Sequence, residues 1–350
     1  MNDPARASAR PVDLVLPEVP QGRSEFGSAQ PVLALDLGGT LTRAAVVDRD
    51  GQLTGRLAVP TPLEAGAEAV MLTAITTLRA TLREGSDAMA GDKGRPSAVA
   101  VSAPGPLDPW TGLMIDPPNM GPGFHGMPLG QHIEDALGLP CVVERDTNVA
   151  ALGEAVFGAA TGCRDFLYIT VSTGIGGAVV TGGRLMMGPD GVAGELGHIV
   201  VDMAGEACGC GARGHLEAIA SGTAISRAGS VAGQPPRSAR EVARRAKSGD
   251  EAARVIMDRA ITAFAAACVS YVDIFDPDLI VVGGGVARGL GERWLEPARS
   301  LVAATAFARQ RDRARIVPAA LADDAGLVGC FVLASIRAGD ERWRLRDGPA

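Results

Sequence analysis

Two histidines and two cysteines lie close together near the middle of the chain. They fall within eighteen residues, at His198, Cys208, Cys210 and His215. Two thiolates and two imidazoles are a complete tetrahedral ligand set for Zn²⁺ and leave no position for a catalytic water. The spacing therefore predicts a structural zinc site that orders the loop 198–215. A pair of free thiols in a flexible loop is the alternative interpretation.

A carboxylate, Asp146, stands where a predicted strand gives way to a predicted helix. The strand is the apolar run 141–144, and residues 147–157 have the composition of a helix. In α/β sheets this edge faces the ligand. Asp146 can therefore accept the proton of a hydroxyl group as a general base, even with the low pKa expected at a helix N-terminus. A helix cap is the alternative role.

Three glycine-rich turns each follow an apolar strand. Because glycine has no Cβ, backbone N–H groups in such a turn can point at a polyphosphate. None has the spacing of a Walker loop or a dinucleotide-binding motif, and a plain tight turn explains any single one equally well. Asp36, beside the first turn, is suited to hold Mg²⁺ directly or through water, or to cap the turn. The residues predicted to bind phosphate groups and their metal are Asp36, Gly38, Gly39, Thr40, Thr173, Gly174, Gly176, Gly283, Gly284 and Gly285.

The elements that carry these residues alternate between strands and helices, as in an α/β protein. Val32–Val47 has the pattern of a β-meander with a glycine turn, and the pattern recurs at Phe166–Val180. This repeat predicts an internal duplication. Further strands are predicted at 98–101, 141–144 and 279–282, and helices at 62–83, 129–137, 147–157, 252–275 and 324–337.

Composition restricts the class of protein. The chain has 350 residues, 46 of them glycine, and is 47% hydrophobic and 21% charged, which predicts two globular domains with a cleft between them. A net charge of −7 and 4% aromatic residues argue against a nucleic-acid groove. The scattered cysteines indicate a reducing compartment. Without an apolar run of roughly 18 residues or a signal peptide, we expect a cytoplasmic protein that does not contact a membrane. Residues 1–30 are expected to form a mobile arm.

The motifs, in their order along the chain, resemble the ROK family of sugar kinases and repressors, within the actin-like ATPase superfamily. The resemblance extends from Val32 to Arg337. The segments that carry it are Asp36–Thr40, Ala103–Asp108, Pro118–Asn119, Asp146–Asn148, Ser172–Gly177, Gly194–His198, Cys208–Glu217 and Pro277–Gly285.

The resemblance implies two duplicated ribonuclease H-like α/β domains that close on ATP and a hexose, and it implies a homodimer. The N-terminal domain would span 31–145, completed by the helix 324–337, and the C-terminal domain 146–323. By position, Asp146 matches the catalytic base, the turns at Gly38 and Gly174 match phosphate-binding loops, and Gly283–Gly285 matches the adenosine loop. The positions that match contacts to sugar hydroxyls are Asn119, Glu195, His198 and Glu217.

Two positions depart from the family pattern. Arg145 stands where an asparagine usually binds the sugar, and its charged, donor-only side chain is expected to pair with Glu144 or Asp146, or to bind the sugar and change which hexose fits. His215 stands where the family has a third cysteine. His198 is then expected to use one ring nitrogen for zinc and the other for a sugar hydroxyl.

These features together predict an ATP-dependent kinase that uses Mg²⁺ and transfers the γ-phosphoryl group to the 6-hydroxyl of glucose or a glucose-derived sugar. Alternative substrates are N-acetylglucosamine, N-acetylmannosamine and 3-amino-3-deoxyglucose, and polyphosphate is an alternative donor. A sugar-responsive regulator is less favoured, because the 35 residues before Asp36 are interrupted by prolines and are not expected to hold a helix-turn-helix. The filled ligand set argues against a zinc hydrolase.

Overall fold

The computed structural model describes residues 30–88, 95–117, 120–121, 123–231 and 233–338. The expected mobile arm, apart from Gln30, and the candidate sugar ligand Asn119 lie outside the described residues. The strands are β1 (Val32–Leu37), β2 (Leu41–Val47), β3 (Leu53–Pro60), β4 (Val99–Ala103), β5 (Leu107–Asp108), β6 (Leu113–Met114), β7 (Met127–Pro128), β8 (Cys141–Arg145), β9 (Phe166–Val171), β10 (Ile175–Thr181), β11 (Arg184–Leu185), β12 (Leu279–Gly283) and β13 (Arg315–Pro318). The α-helices are α1 (Ala67–Ala88), α2 (Leu129–Leu137), α3 (Asp146–Phe157), α4 (Leu216–Ala220), α5 (Gly222–Gly229), α6 (Ala239–Lys247), α7 (Glu251–Phe275), α8 (Gly285–Leu290), α9 (Glu292–Thr305), α10 (Ala308–Arg311) and α11 (Ala325–Ala338).

Two five-stranded sheets share one topology. The first has the order β3-β2-β1-β4-β8 and the second β11-β10-β9-β12-β13. In each sheet an antiparallel meander continues into two parallel strands on the other side of its first strand. The duplication predicted from the two meanders is therefore confirmed in the strand order. A small sheet of β5, β6 and β7 accompanies the first one.

The central strands are apolar throughout because helices cover both faces of each sheet. In β1, Leu33 and Leu35 point into a core shared with α1 and α2. Val32 and Ala34 point to the opposite face, into a core shared with α3 and α11. The second sheet divides its residues in the same way between this middle core and an outer core built with α4 to α9. The protein is thus layered as helix, sheet, helix, sheet, helix.

The middle layer consists of α3 and α11, which are packed backbone to backbone. A Cβ on Gly329 of α11 would lie 1.9 Å from the carbonyl oxygen of Val149 of α3. One on Gly153 would lie 2.7 Å from the carbonyl oxygen of Ala325. The last helix of the chain also contacts β1, β2, β4 and β8, so it covers the first sheet from the side that faces the second.

The observed elements differ from the predicted ones mainly where they are short. The predicted helix 62–83 divides into a 3₁₀ turn, Leu63–Ala65, and α1, because Gly66 between them has a φ of 86°. The predicted helix 129–137 is confirmed as α2. The elements that were not predicted from the local pattern are the strands β3, β5, β6, β7, β11 and β13, the 14-residue helix α9, and the short helices α4, α5, α6, α8 and α10.

Among the described residues, α7 is long and apolar enough to cross a membrane by length and composition alone. Half of its most apolar window is buried inside the protein. Its residues Phe264, Cys268 and Tyr271 belong to the outer core of the second sheet. A buried core helix meets the same criterion as a membrane span, and α7 is accounted for as such a helix.

Candidate functional site

Asp146 is the first residue of α3 and directly follows β8. All other residues from Cys141 to Ala150 are buried, whereas Asp146 is exposed. Its Oδ1 accepts a hydrogen bond of 2.7 Å from the backbone N–H of Thr147. The carboxylate therefore stands free at the open end of the first sheet, where the strand ends.

The pKa of Asp146 is raised to about 6. Restricted solvation by the surrounding protein is the largest cause, followed by the negative charge of Asp36. The N–H of Thr147 and the charge of Arg145 lower the pKa, and Glu195 raises it slightly. The expectation of a low pKa at the helix N-terminus is therefore wrong, because one helix hydrogen bond does not offset desolvation and a neighbouring carboxylate. At neutral pH Asp146 is still mostly ionised, and it is a stronger base than an ordinary aspartate.

Asp36 lies near the end of β1, on the same edge of the sheet. Its Oδ1 accepts a hydrogen bond of 2.9 Å from Oγ of Ser102, and its Oδ2 lies 2.6 Å from Nη2 of Arg43. Burial raises the pKa of Asp36, while Arg43 and Ser102 act in the opposite direction. The carboxylate is thus held between β2 and β4 and has little contact with solvent.

The first glycine turn joins β1 to β2. The N–H of Gly38 donates to the carbonyl of Leu41 at 3.0 Å, and the Thr61 hydroxyl donates to the carbonyl of Gly38 at 2.7 Å. Gly39 and Thr40 are exposed. The turn is braced on its inner side and open on its outer side, as a phosphate-binding turn must be.

The second glycine turn lies against the start of α3. A Cβ on Gly176 would lie 2.7 Å from Cγ2 of Thr147, the residue after Asp146. Only glycine allows this approach without moving Thr147. The turn that is predicted to bind phosphate and the predicted catalytic base are therefore neighbours.

Glu217, a predicted sugar ligand, also contacts the second turn. Its Oε2 accepts the N–H of Ile175 at 2.8 Å and would lie 2.6 Å from a Cβ on Gly174. The Ile175 N–H is thus used within the protein, and the exposed Thr173 is the part of the turn that faces outward. Glu217, a predicted sugar ligand, thus contacts the turn that is predicted to bind phosphate.

A cavity of about 120 Å³ lies beside the third glycine turn. Apart from Arg288 its walls are apolar or glycine, which suits a flat ring better than a phosphate and agrees with the implied adenosine contact. A larger cavity, about 480 Å³, opens among Cys163, Arg164 and Arg313 at the amino ends of the parallel strands and contains none of the predicted site residues. The smaller cavity is lined by Val282, Gly283, Gly284, Ala287, Arg288, Gly291, Leu295, Pro318, Ala319 and Ala322.

Arg145 ends β8, and its side chain reaches the segment that precedes His198. Nη1 lies 2.8 Å from Oε1 of Glu195, and Nη2 donates to the carbonyl of Ala193. The arginine side chain is 3% exposed and that of Glu195 is 48% exposed. The expected pairing of the guanidinium with Glu144 or Asp146 is therefore wrong.

Glu144 is not available to the Arg145 guanidinium because it has other partners. Its Oε2 lies 3.1 Å from Nη2 of Arg337, and both side chains are at most 1% exposed. Its Oε1 accepts hydrogen bonds from Nδ2 of Asn148 at 3.0 Å and from the backbone N–H of Arg145 at 2.9 Å. This buried pair ties α11 to the strand that precedes Asp146.

His198 presents its two ring nitrogens to different neighbours. Nε2 lies 3.9 Å from Oε2 of Glu195, and Nδ1 lies 3.2 Å from Nδ1 of His215. One nitrogen is thus on the side of Arg145 and Glu195, and the other is among the cysteines and histidines. This arrangement has the geometry expected for a histidine with two functions.

The four predicted metal ligands converge. The ligand atoms of His198, Cys208, Cys210 and His215 all lie within 4.8 Å of one another. The Cys208 sulfur lies 3.7 Å from Nδ1 of His198, and the Cys210 sulfur lies 3.3 Å from Nδ1 of His215. Tetrahedral zinc, with Zn–N near 2.05 Å and Zn–S near 2.3 Å, requires N···N of about 3.3 Å and N···S of about 3.6 Å. The donor set and its spacing fit a tetrahedral ion.

Three charged or polar residues of the site were not predicted from the sequence. Arg43 could have been found, because the turn at Gly38 places it opposite Asp36 in the β1–β2 register, and opposite charges in such pairs attract. Ser102 and Arg337 come from distant parts of the chain, and no local pattern marks them.

The chain is similar in sequence and structure to known sugar kinases. The sequence model of the ROK family matches residues 32–337. A glucokinase of Thermotoga maritima is 34% identical over 322 residues, which cover 88% of this chain and 98% of the relative. An N-acetylmannosamine kinase of Shigella flexneri is 36% identical over 308 residues, 87% of this chain and 98% of the relative. The crystal structure of a ROK hexokinase from Thermus thermophilus superimposes with a TM-score of 0.74 at 38% identity, covering 89% of this chain and all of that one.

Proposed function

Because the chain belongs to the ROK family and is an ATP-dependent sugar kinase, we propose that it phosphorylates the 6-hydroxyl of glucose or a glucose-derived sugar, with Asp146 as general base. The observation that carries the proposal is the position of Asp146. It is the exposed carboxylate between the glycine turns on one side and Arg145, Glu195 and His198 on the other.

The chemistry follows from this position. A carboxylate with a pKa near 6 accepts the proton of the sugar hydroxyl as the new phosphorus–oxygen bond forms. The demand on the base is modest, because phosphoryl transfer has a loose transition state in which positioning and charge stabilisation dominate. Glu195, His198 and Glu217 are proposed to hold the sugar, together with Asn119.

The phosphate side of the site is proposed to consist of the three glycine turns and Asp36. Backbone N–H groups of the turns at Gly38 and Gly174 would bind phosphate oxygens, and the cavity beside Gly283 would hold the adenine. Both oxygens of Asp36 already accept hydrogen bonds from Ser102 and Arg43, so Asp36 fits Mg²⁺ better through a water ligand than directly.

Replacing Asp146 by asparagine tests the role of this carboxylate as the base. Asparagine keeps the size of the side chain but does not accept the proton, so we expect the kcat for phosphorylation to fall by about 10²- to 10⁴-fold. Sugar binding, measured by calorimetry, should stay within a few-fold of the unchanged protein. Turnover at the unchanged rate in an ADP-release assay would show that another group takes the proton.

The choice of sugar is the open part of the proposal. The glucokinase relative supports glucose, and the N-acetylmannosamine kinase relative, at 36% identity, supports an N-acetylated amino sugar as second candidate. An ADP-release assay across glucose, mannose, fructose, the N-acetylated hexosamines and 3-amino-3-deoxyglucose ranks them directly. Direct detection of the phosphorylated sugar, with polyphosphate in place of ATP, tests the donor.

Four further assignments belong to the proposal. The Cys/His cluster is proposed to hold a structural zinc ion, and the chain is proposed to act as a homodimer in the cytoplasm. Two domains are proposed, 31–145 with the last helix and 146–323. Sedimentation velocity tests the dimer.

A further inference from the structure

We propose that Arg145 is a positioning residue that makes this enzyme select neutral sugars over sugars that carry a free ammonium group. Arg145 does so through Glu195, whose carboxylate it neutralises and holds in place. The inference rests on the sugar kinase function proposed above and concerns the class of sugar that the same site accepts.

The ion pair between these residues is asymmetric in its exposure. The Glu195 carboxylate is on the open side, with 48% of its side chain exposed, and the guanidinium lies behind it with 3% exposed. A sugar that enters the site therefore meets Glu195 and does not meet Arg145. The effect of the arginine on a ligand is transmitted by its charge and by the orientation it gives to Glu195.

Arg145 is held in one orientation by its surroundings. Nη1 binds Glu195, and Nη2 is directed to the carbonyl of Ala193, with Oδ1 of Asn148 at 3.4 Å. Its aliphatic part lies against Gly105, where a Cβ would come within 2.9 Å of the arginine Cδ. The groups around Arg145 thus form a space that matches a long side chain at this position.

The guanidinium group at position 145 has a cost to the stability of the fold. Nε of Arg145 is buried and has no acceptor among the described residues, and a buried donor without a partner lowers stability. A neutral side chain would avoid this cost. What the arginine adds that a neutral side chain does not is a positive charge next to Glu195.

That charge changes which ligands the site attracts. Asp146, Glu195 and Glu217 are three carboxylates on the sugar side of the site, and together they would favour a cationic ligand. Arg145 offsets the charge of Glu195, the exposed one of these that it contacts. The site then offers a sugar paired, oriented hydrogen-bonding groups instead of an unbalanced negative charge, which favours hydroxyl and N-acetyl groups over an ammonium group.

The test is the ratio of kcat/KM for an amino sugar to kcat/KM for glucose, measured at pH 7 with 2-amino-2-deoxyglucose and with 3-amino-3-deoxyglucose. Because both sugars meet the same active molecules, the ratio does not depend on how much of a variant is folded. In R145M the ratio should rise about tenfold or more for at least one amino sugar, since a unit positive charge is lost a few ångströms from the ligand. R145K keeps the charge and should stay within about threefold of the unchanged protein.

R299M is the matched control, because Arg299 forms an exposed ion pair with Glu292 on α9, away from the site. Its ratio should not change. Equal ratios in R145M, R145K and the unchanged protein, or equal increases in both variants, would overturn the inference. So would a preference of the unchanged protein for an amino sugar over glucose. Failure of the unchanged protein to phosphorylate any hexose would instead overturn the proposed function.

Discussion

Three neighbouring strands of the first sheet place side chains of the site at paired positions. Asp36 of β1 pairs with Ser102 of β4, and Ser102 pairs with Glu144 of β8. Asp146 follows two residues later, so the buried Asp36 and the exposed Asp146 share the carboxyl edge of one sheet. Their mutual repulsion is one reason why the pKa of Asp146 is high.

This pKa predicts how activity depends on pH. Asp146 must be ionised to act as base, so kcat/KM for the sugar should be half-maximal near pH 6 and fall about tenfold for each pH unit below that. Arg145 lowers the pKa of Asp146, whereas Asp36 and Glu195 raise it. The acid limb should therefore move to higher pH in R145M.

The control for the pH profile is the KM for ATP over the same range, which separates the base from ionisation of the donor. An acid limb near pH 4, the ordinary value for an aspartate, would contradict the assignment.

At the scale of single residues, the sequence was sufficient for positions that depend on local context. The strand-to-helix boundary located Asp146 at the start of α3, and the spacing of two histidines and two cysteines predicted a cluster that the fold brings together. The partner of Arg145 could not be predicted, because it depends on Glu144 being occupied by Arg337, 193 residues away. The pKa of Asp146 could not be predicted either, since restricted solvation by the surrounding protein and the charge of Asp36 on another strand outweigh the helix hydrogen bond.

Among the elements, the loop 198–215 has no helix or strand between His198 and Leu216. Two isolated bridges, scattered turn hydrogen bonds such as that from Cys208 N–H to the Ala212 carbonyl, and ion pairs from Arg259 to Asp202 and Glu206 hold it. An ion at the Cys/His cluster would fix His198 at one end of the loop and Glu217 just beyond the other.

Removal of the metal should therefore impair sugar binding more than nucleotide binding. We expect about one zinc ion per chain by elemental analysis. After chelation, the KM for the sugar should rise about 10- to 100-fold while the KM for ATP changes little, and added Zn²⁺ should restore it. Full activity in protein shown to contain no zinc would refute the metal's role.

Elements whose own sequence has a strong apolar pattern were predictable. Elements that are stabilised mainly by packing against their neighbours were not. The boundaries of α7 follow from its long apolar segment, and those of the nine-residue α2 follow from an amphipathic one. Helices α4, α5 and α6 are short, and much of what they bury faces the second sheet and α7. Their apolar positions are too few to show a period in the sequence.

For the whole molecule, the contact of α3 with α11 is the joint between the halves. Gly329 has no room for a side chain, because a Cβ would lie 1.9 Å from a backbone carbonyl that cannot rotate away. G329A should therefore lower the free energy of unfolding by about 2–4 kcal/mol through forced separation of the helices. In a protein of this size that is a fall in Tm of about 3–6 °C, measured by calorimetry.

The matched control for G329A is G289A in α8, where an added Cβ meets no atom within 4 Å. Its Tm should be unchanged or slightly higher, since alanine favours a helix. Equal melting temperatures for the two variants would show that α3 and α11 can move apart to accept a Cβ at position 329 without loss of stability.

The position of α11 also sets an order of events during synthesis. The five strands of the first sheet are complete once residue 145 has left the ribosome, but the helix that covers their inner face is the last described element, 325–338. At about 5–20 residues per second, the intervening roughly 180 residues take on the order of ten to forty seconds to translate. During that time the nascent sheet exposes Val32 and Ala34, and Glu144 lacks Arg337. The N-terminal half therefore reaches its final packing only after translation of its last helix.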